Sequence, residues 1–461
     1  MSVRAAFMVP HPPMIVPAVG RGSERQISET AEAYERVAEE IAALKPETIV
    51  ILSPHAVMYA DYFHLSPGRE AAGSFRAFGA PSVRFREAYD TELRDRIVRL
   101  AEFRGFPAGT LGERDPALDH GTMVPLYFIR KRYSGGKILR IGLSGLPLEE
   151  HYRFGEILNQ AVEETGRSAV LVASGDLSHK LKESGPYGFA AEGPLYDARI
   201  MEVCGRGDFG ELFRFEEHFL EKAAECGHRS FVIMAGVLDR KRVRAKALSH
   251  QDVTGVGYGI CTFYPEGEDP SRNFLEQREQ AVLKALSEAR AKEDPCVRLA
   301  RQTIEAYAGD RRRPALPADL PAELLSTRAG AFVSIHKQGQ LRGCIGTIAP
   351  VQANLAREIL ENAISACSAD PRFSPVAPEE LPWLEISVDV LGEPEEIDSP
   401  EELDVKRYGV IVSAGRKRGL LLPDLEGVDT VEEQIAIARR KAGIGPAEPV
   451  RLQRFEVVRH T

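Results

Sequence analysis

Three apolar runs in the first half of the chain end in the same kind of turn, and this recurrence most strongly limits the fold. The runs and the polar residues that follow them are 7–9 with His11, 49–52 with His55, and 171–174 with Asp176 and His179. Short β-branched runs of this kind predict buried strands. Polar groups just past the ends of parallel strands lie at the edge where open α/β sheets bind ligands. We therefore predict that the three imidazoles meet at one edge of a sheet.

A helical pattern separates the first two of these runs. Apolar residues recur at three- and four-residue steps between residues 23 and 44, which predicts an amphipathic helix. A strand, a helix and a second strand form a βαβ unit, so we expect parallel neighbouring strands with a right-handed crossover. Further predicted elements are helices at 91–103 and 151–164, with Asp90 as N-cap of the first, and strands at 137–143, 169–174 and 256–264. The first half is thus predicted to be α/β, with a central, largely parallel sheet and flanking helices.

The length of the chain favours two domains. Its 461 residues exceed what one hydrophobic core usually supports. A polar, turn-forming stretch at 265–270 precedes a charged helical pattern at about 273–292. We predict a metal-binding domain over 1–266, a linker with a connecting helix over 267–292, and a second domain over 293–461. The second domain is predicted to be a separate α+β domain, with helices at 297–307, 351–368 and 430–442 and strands at 331–336 and 384–391.

Charge and cysteine usage limit the partners and the compartment. The net charge of −9 argues against nucleic acid or an anionic membrane as a partner. No apolar run approaches the roughly 20 residues that span a bilayer, and the first residues lack the pattern of a signal peptide. The six cysteines have no framework spacing. They are typical of reduced thiols, so we predict a cytoplasmic location.

His120 and an adjacent Glu225–Cys226 pair extend the candidate site. The pair precedes a buried helical run at 231–238, and a helix N-terminus favours an anionic carboxylate or thiolate. Singly, such residues are most often structural: a hydrogen-bonded histidine, a helix cap or an inert buried thiol. Two imidazoles with one anionic side chain, however, form a facial triad that suits non-haem Fe(II). The other histidines would then serve as acid–base groups, because imidazole titrates near neutral pH.

At these positions the first half of the chain resembles the LigB-like class III extradiol dioxygenases and their relatives, the Memo proteins. The motifs that carry the resemblance are Pro10-His11-Pro12-Pro13, Ser53-Pro54-His55, Leu118-Asp119-His120-Gly121, Gly175-Asp176-Leu177-Ser178-His179 and Val253-Thr254-Gly255-Val256-Gly257-Tyr258. The resemblance covers roughly residues 1–265. It implies that His11 and His55 hold Fe(II), and that His120 and His179 flank a catechol-like aromatic diol that is opened with dioxygen. In that reaction His179 acts as the acid–base group, and we expect Asp176 or Ser178 to orient it.

The third ligand separates two functional hypotheses. Glu225 would match the dioxygenases, whereas Cys226, followed by Gly227, matches the Memo pattern. A thiolate is softer than a carboxylate and changes the metal preference, so copper or zinc are alternatives to Fe(II). The first hypothesis is an iron-dependent dioxygenase. The alternative is a Memo-like iron- or copper-binding redox or scaffold protein without ring-cleaving activity.

A string in the second half resembles a different family. Leu341-Arg342-Gly343-Cys344-Ile345-Gly346-Thr347 is similar to the motif of the AMMECR proteins, and the resemblance runs from about residue 290 to 461. It implies an α+β fold and a candidate pocket at Arg342 and Cys344. The competing interpretation is a tight structural turn with a buried Cys344. The association of Memo-like, AMMECR-like and radical-SAM proteins in bacteria and archaea implies a radical-SAM partner. A third functional hypothesis is that the metal site is vestigial and that the AMMECR-like domain carries the function.

Overall fold

The computed structural model describes residues 3–112, 117–425 and 427–461. It divides into compact units of residues 1–278 and 279–461. The strands of the first unit are β1 (Val3–Val9), β2 (Thr48–Ser53), β3 (Phe63–His64), β4 (Glu70–Phe75), β5 (Ala80–Ala88), β6 (Ala108–Gly109), β7 (Lys137–Gly142), β8 (Ala169–Ser174), β9 (Lys241–Gln251) and β10 (Tyr258–Glu268). Its helices are α1 (Pro17–Gly20), α2 (Ser28–Leu44), α3 (Thr91–Phe103), α4 (His120–Arg132), α5 (Leu148–Thr165), α6 (Glu192–Arg206), α7 (Glu217–Ala223) and α8 (His228–Val237), and the division falls inside α9 (Phe274–Arg290).

The central sheet of the first unit has the strand order β7-β2-β8-β1-β10-β9. β7, β2, β8 and β1 run parallel, while β10 and β9 are antiparallel to their neighbours. The predicted α/β class with a largely parallel sheet is therefore confirmed. The predicted pairing of β1 with β2 is wrong, because β8 lies between them and pairs with both. Every residue of β8 is buried, as an interior strand of a parallel sheet requires.

Side chains alternate between the two faces of this sheet, and helices cover each face. Along β1, Met8 packs into one buried cluster and Phe7 into the other. The first cluster includes residues of α5 and α8, and the second includes residues of α2 and α4. The strand ends therefore open between two packed helical layers. The sequence patterns did not predict the hairpin of β4 and β5, the strand β9 or the helices α4 and α6.

The buried side chain of His151 on α5 gives a pH-dependent prediction. Burial lowers its pKa to about 3, while an unfolded histidine titrates near 6.5. Between these values the unfolded chain binds a proton that the folded chain lacks, so this residue destabilises the fold as the pH falls. As the pH falls, the native protein should therefore lose stability relative to the His151→Gln variant. The difference between their unfolding free energies is expected to decrease by up to about 1.4 kcal/mol per pH unit from about pH 6 to about pH 4.

Urea unfolding followed by circular dichroism measures this difference. Gln is the matched replacement because it can still donate to the Pro147 carbonyl and accept from the Ser144 N–H, as the imidazole does. His218 is exposed, so His218→Gln provides the control and should show a constant difference. A constant difference for His151→Gln as well would contradict the prediction.

The second unit is a separate α+β domain, as predicted. Its helices are α10 (Pro295–Asp310), α11 (Ala322–Ser326), α12 (Leu355–Ser368) and α13 (Val431–Lys441). Its strands are β11 (Ala331–Lys337), β12 (Gln340–Gly346), β13 (Leu384–Leu391), β14 (Glu395–Ile397), β15 (Tyr408–Ala414), β16 (Lys417–Leu421) and β17 (Arg451–His460). The antiparallel sheet has the order β12-β11-β13-β17-β15-β16, and α10 and α12 share a buried cluster with β11 and β13. Across residues 3–112, 117–425 and 427–461, no helix of either unit is long and apolar enough to cross a membrane.

Candidate metal centre

The ends of three neighbouring strands bring candidate metal ligands together. β1, β8 and β2 end at the same level, since Val9 pairs with Ser174 and Leu52 pairs with Ala173. The donor atoms of His11, His55 and Cys226 all lie within 4.8 Å of one another. His11 Nε2 is 3.0 Å from His55 Nε2 and 3.5 Å from Cys226 Sγ. Two imidazoles and a thiol from distant segments thus face one point.

Hydrogen bonds select the tautomer of His11. Its Nδ1 is 3.0 Å from Ser174 Oγ, and that hydroxyl donates its proton to the carbonyl of Gly121 at 2.7 Å. Ser174 must therefore accept from His11 Nδ1–H, which leaves the Nε2 lone pair facing His55 and Cys226. Burial lowers the pKa of His11 well below its usual value, and the neighbouring His55 lowers it further. A neutral imidazole fixed through its other nitrogen is the usual form of a metal-binding histidine.

His55 is held by a chain of polar contacts that starts at a helix cap. Its backbone N–H donates to Ser53 Oγ at 3.2 Å, and Ser53 donates to the Asp119 carboxylate at 2.5 Å. Asp119 in turn caps α4 by accepting from Thr122 N–H at 3.0 Å. Burial lowers the pKa of the His55 imidazole, so it too is neutral near pH 7. The chain fixes the loop after β2 relative to α4.

Cys226 is held against the loop that follows β8. Its Sγ accepts from the Asp176 N–H at 3.3 Å, and its own N–H donates to the Asp176 carbonyl at 3.4 Å. Burial raises the pKa of this thiol well above its usual value, and the carboxylates of Asp176 and Glu225 raise it further. A bound cation reverses this effect, because a coordinating thiol loses its proton.

Two glycines allow these loops to approach each other. A Cβ on Gly175 would lie 2.1 Å from the Cα of Gly227, which is too close for backbone atoms to tolerate. Gly175→Ala is expected to push the Cys226 loop away from His11 and to weaken metal binding by about 10- to 100-fold, the range seen when ligand-orienting residues are lost. Isothermal titration with a divalent metal measures the change.

The matched control is Gly205→Ala, because a Cβ there meets only ordinary contact, at 3.5 Å from the side chain of Ala247. Unchanged affinity in Gly175→Ala would show that the approach of the two loops does not position the thiol.

Glu225 does not join the donor group. Its carboxylate accepts from the His228 N–H at 2.5 Å and caps the start of α8. Burial raises its pKa to about 7. Among the described residues, the donor group that contains His11 and His55 includes Cys226 but not Glu225. Of the two alternatives for the third ligand, the geometry favours Cys226.

The predicted orientation of His179 is wrong. Asp176 Oδ1 instead accepts from the His11 N–H at 2.6 Å, and the Ser178 hydroxyl donates to the Ala223 carbonyl at 2.7 Å. The ring of His179 is oriented by its Nδ1, which donates to the Ala224 carbonyl. The tight turn after β8 directs Asp176 Oδ1 back toward β1, and His179 instead donates its hydrogen bond to the loop that contains Ala224. His179 is near enough to lower the pKa of both His11 and His55.

His120 and two aromatic side chains border the cluster. The His120 ring lies 4.0 Å from the His55 ring between centroids, and burial lowers its pKa to about 4. Phe78 lies 5.4 Å from His120, and Tyr187 lies 5.2 Å from His179. Phe78 is 36% and Tyr187 is 60% exposed. Sequence patterns missed both aromatics, because they lie in a hairpin and a loop that only tertiary structure brings to the histidines.

Arg342 and Cys344, the pair predicted to line a pocket, lie on β12 and not in a turn. Arg342 forms an ion pair with Glu380 at 2.8 Å. Cys344 Sγ accepts from Ser334 Oγ at 3.2 Å, and its N–H donates to Asp370 at 2.9 Å. Both residues are therefore held by partners within the second unit.

Two family models match the chain. The model of the catalytic LigB subunit of aromatic ring-opening dioxygenase matches residues 5–261, and the AMMECR1 model matches residues 297–460. A protein of Clostridium acetobutylicum is 42% identical over 100% of this chain and 99% of its own length. A protein of Thermotoga maritima is 51% identical over 36% of this chain and 98% of its own.

Two solved structures are also similar to parts of the chain. An uncharacterized protein from Pyrococcus horikoshii is 35% identical, with a TM-score of 0.34, and covers 36% of this chain and 88% of its own. An uncharacterized protein from Escherichia coli K12 is 16% identical, with a TM-score of 0.36, and covers 56% of this chain and 99% of its own.

Proposed function

We propose a function from the premise that this chain belongs to the family of the catalytic LigB subunit of aromatic ring-opening dioxygenase and also carries an AMMECR1 domain. The proposed activity is Fe(II)-dependent opening of a catechol-like aromatic diol with dioxygen. The observation that carries it is the convergence of the donor atoms of His11, His55 and Cys226 within 4.8 Å. Two imidazoles and one anionic ligand leave coordination positions open for other molecules.

The donor set fits a divalent metal ion. The lone pair of His11 Nε2 faces the cluster because Nδ1–H is bound to Ser174, and His55 is held neutral by burial. Bound Fe(II) would supply coordination positions for the diol and dioxygen and the redox chemistry of ring opening. The protein supplies the orientation of the substrate and the movement of its protons.

His179 is the proposed acid–base residue. Its Nδ1–H donates to the Ala224 carbonyl, so Nε2 carries the lone pair that can accept a proton from a diol hydroxyl. His120, with its lowered pKa, stays neutral and can hydrogen-bond the substrate oxygen without adding charge. The exposed rings of Phe78 and Tyr187 offer apolar faces to a planar aromatic substrate.

A second candidate function is supported by the thiol of Cys226. A thiolate in place of a carboxylate favours softer metals such as Cu(I) and Zn(II). The second candidate is therefore a metal-binding redox or scaffold protein that does not open aromatic rings.

Anaerobic loading with Fe(II), followed by addition of oxygen and a panel of catechols, tests the first candidate. We expect a coloured ring-opened product from the loaded protein and none from a His55→Ala variant. A fully loaded protein that turns over none of the catechols would refute the dioxygenase function and favour the second candidate.

The third ligand is tested with cobalt. In a Cys296→Ser background, which removes a second thiol that lies near metal-binding side chains, the Co(II)-loaded protein and its Glu225→Gln variant are expected to share a thiolate-to-cobalt absorption band, which Cys226→Ser should lack. No thiolate-to-cobalt band in the protein that keeps Cys226, together with a Co(II) affinity that falls in Glu225→Gln but not in Cys226→Ser, would reverse the assignment.

A further inference from the structure

A second group of metal-binding side chains lies in the C-terminal unit, apart from the centre described above. Asp294 precedes α10, Cys296 is in the first turn of α10, and His460 ends β17. Their donor atoms all lie within 4.8 Å of one another. Two atoms bound to the same tetrahedral zinc ion lie about 3.3 to 3.8 Å apart, given Zn–N and Zn–O bonds of about 2.0 Å and a Zn–S bond of about 2.3 Å. The donor atoms therefore need to approach one another by no more than about 1.5 Å to share an ion.

Each of these residues is fixed by the fold. Asp294 Oδ1 caps α10 by accepting from the N–H groups of Cys296 at 2.8 Å and Val297 at 3.1 Å. Its Oδ2 contacts His460 Nδ1. His460 is held in register by pairing with Val388 of β13. The approach of the chain's penultimate residue to the start of α10 is thus set by the sheet.

A helix cap and an ion pair hold Asp294 and His460, and Cys296 lies at the edge of these two groups within the buried cluster of α10, α12, β11 and β13. Its side chain is 4% exposed, and its Sγ has no hydrogen-bond partner within the described part of the chain. Burial raises the pKa of this thiol to about 12, and the carboxylates of Asp294 and Glu323 raise it further. A buried thiol that faces a carboxylate and an imidazole in a negative environment is suited to a cation.

We propose that Asp294, Cys296 and His460 bind a zinc ion that joins the end of β17 to the start of α10. Carboxylate oxygen, thiolate sulfur and imidazole nitrogen are the donor types that zinc takes in proteins, and three protein ligands leave a fourth position for water. The zinc ion stabilises the C-terminal unit because it binds only when the two distant segments are together. This site is independent of the function proposed for the N-terminal unit.

Cobalt titration of the full-length chain with both His11→Ala and Cys226→Ala tests the proposal, because these changes remove the N-terminal donors. We expect one equivalent of Co(II) to bind with a thiolate-to-cobalt band and to be displaced by Zn(II). Adding Cys296→Ser should abolish the band, and adding His460→Gln should weaken binding by at least about 10-fold.

Cys367→Ser is the matched control, since Cys367 is a buried thiol of the same unit outside the donor group. It should keep the band. If Cys296→Ser fails to fold by circular dichroism, His460→Gln still decides the matter, because that side chain is partly exposed. A full-length double variant that binds no Co(II), or a band that survives in His460→Gln with unchanged affinity, would overturn the proposal.

Discussion

Replacing His11 with alanine is expected to lower the metal affinity of the N-terminal unit by at least about 100-fold. Loss of a residue that only orients a ligand already costs about 10- to 100-fold, and His11 is itself a proposed ligand. Its Nε2 also lies between the other two donors, 3.0 Å from His55 and 3.5 Å from Cys226. Competition with a chromophoric chelator under anaerobic conditions measures the affinity.

The control for this experiment is His218→Ala, which removes an exposed histidine outside the donor group. Repeating both titrations with Cys296→Ser separates metal bound by Asp294, Cys296 and His460 from metal bound by the N-terminal unit. Native stoichiometry and affinity in His11→Ala would show that the ion binds elsewhere. This result would also refute the function proposed for the N-terminal unit.

His179→Gln is expected to lower turnover of an accepted catechol by about 10²- to 10⁴-fold while leaving the metal content unchanged. The glutamine amide can still donate to the Ala224 carbonyl but cannot take up a proton. The substitution therefore removes proton transfer while it keeps the hydrogen bond that orients the side chain. The measurement compares kcat and metal content of the two proteins at several pH values.

A proton-transfer role also predicts that the variant loses the pH dependence of kcat that His179 confers. Native kcat with Gln at this position would mean that His179 acts only in packing against Tyr187. A fall in metal content together with kcat would instead assign it to the structure of the metal centre.

The strand-end motifs predicted much of this architecture. Short apolar runs, either alternating with polar residues or uninterrupted by them, predicted the strands β1, β2 and β8. The polar turn after each run predicted that His11, His55 and His179 follow the ends of these strands. Burial drives these runs into the centre of the sheet whatever their order, so the sequence determined which residues lie at its edge. The capping role of Asp90 was also predicted, because aspartate is a preferred residue just before a helix and its carboxylate accepts from the Leu93 N–H.

The order of the strands and the choice between neighbouring side chains were decided by tertiary structure. No local pattern states that β8 inserts between β1 and β2, since the insertion depends on pairing across more than a hundred residues. Glu225 and Cys226 are adjacent in sequence, yet one caps α8 and the other faces His11, because the close approach of Gly175 and Gly227 fixes the path of the loop.

By itself, the sequence determined the two fold classes and the chemical types available at the sheet edge, because these follow from local composition and periodicity. The two families were indicated by resemblance of short motifs. Tertiary structure alone decided which of those side chains share a point in space. The contact of Asp294 and Cys296 with His460, more than 160 residues away along the chain, arises in the same way. Donor convergence is a property of packing between distant segments, and no local pattern encodes it.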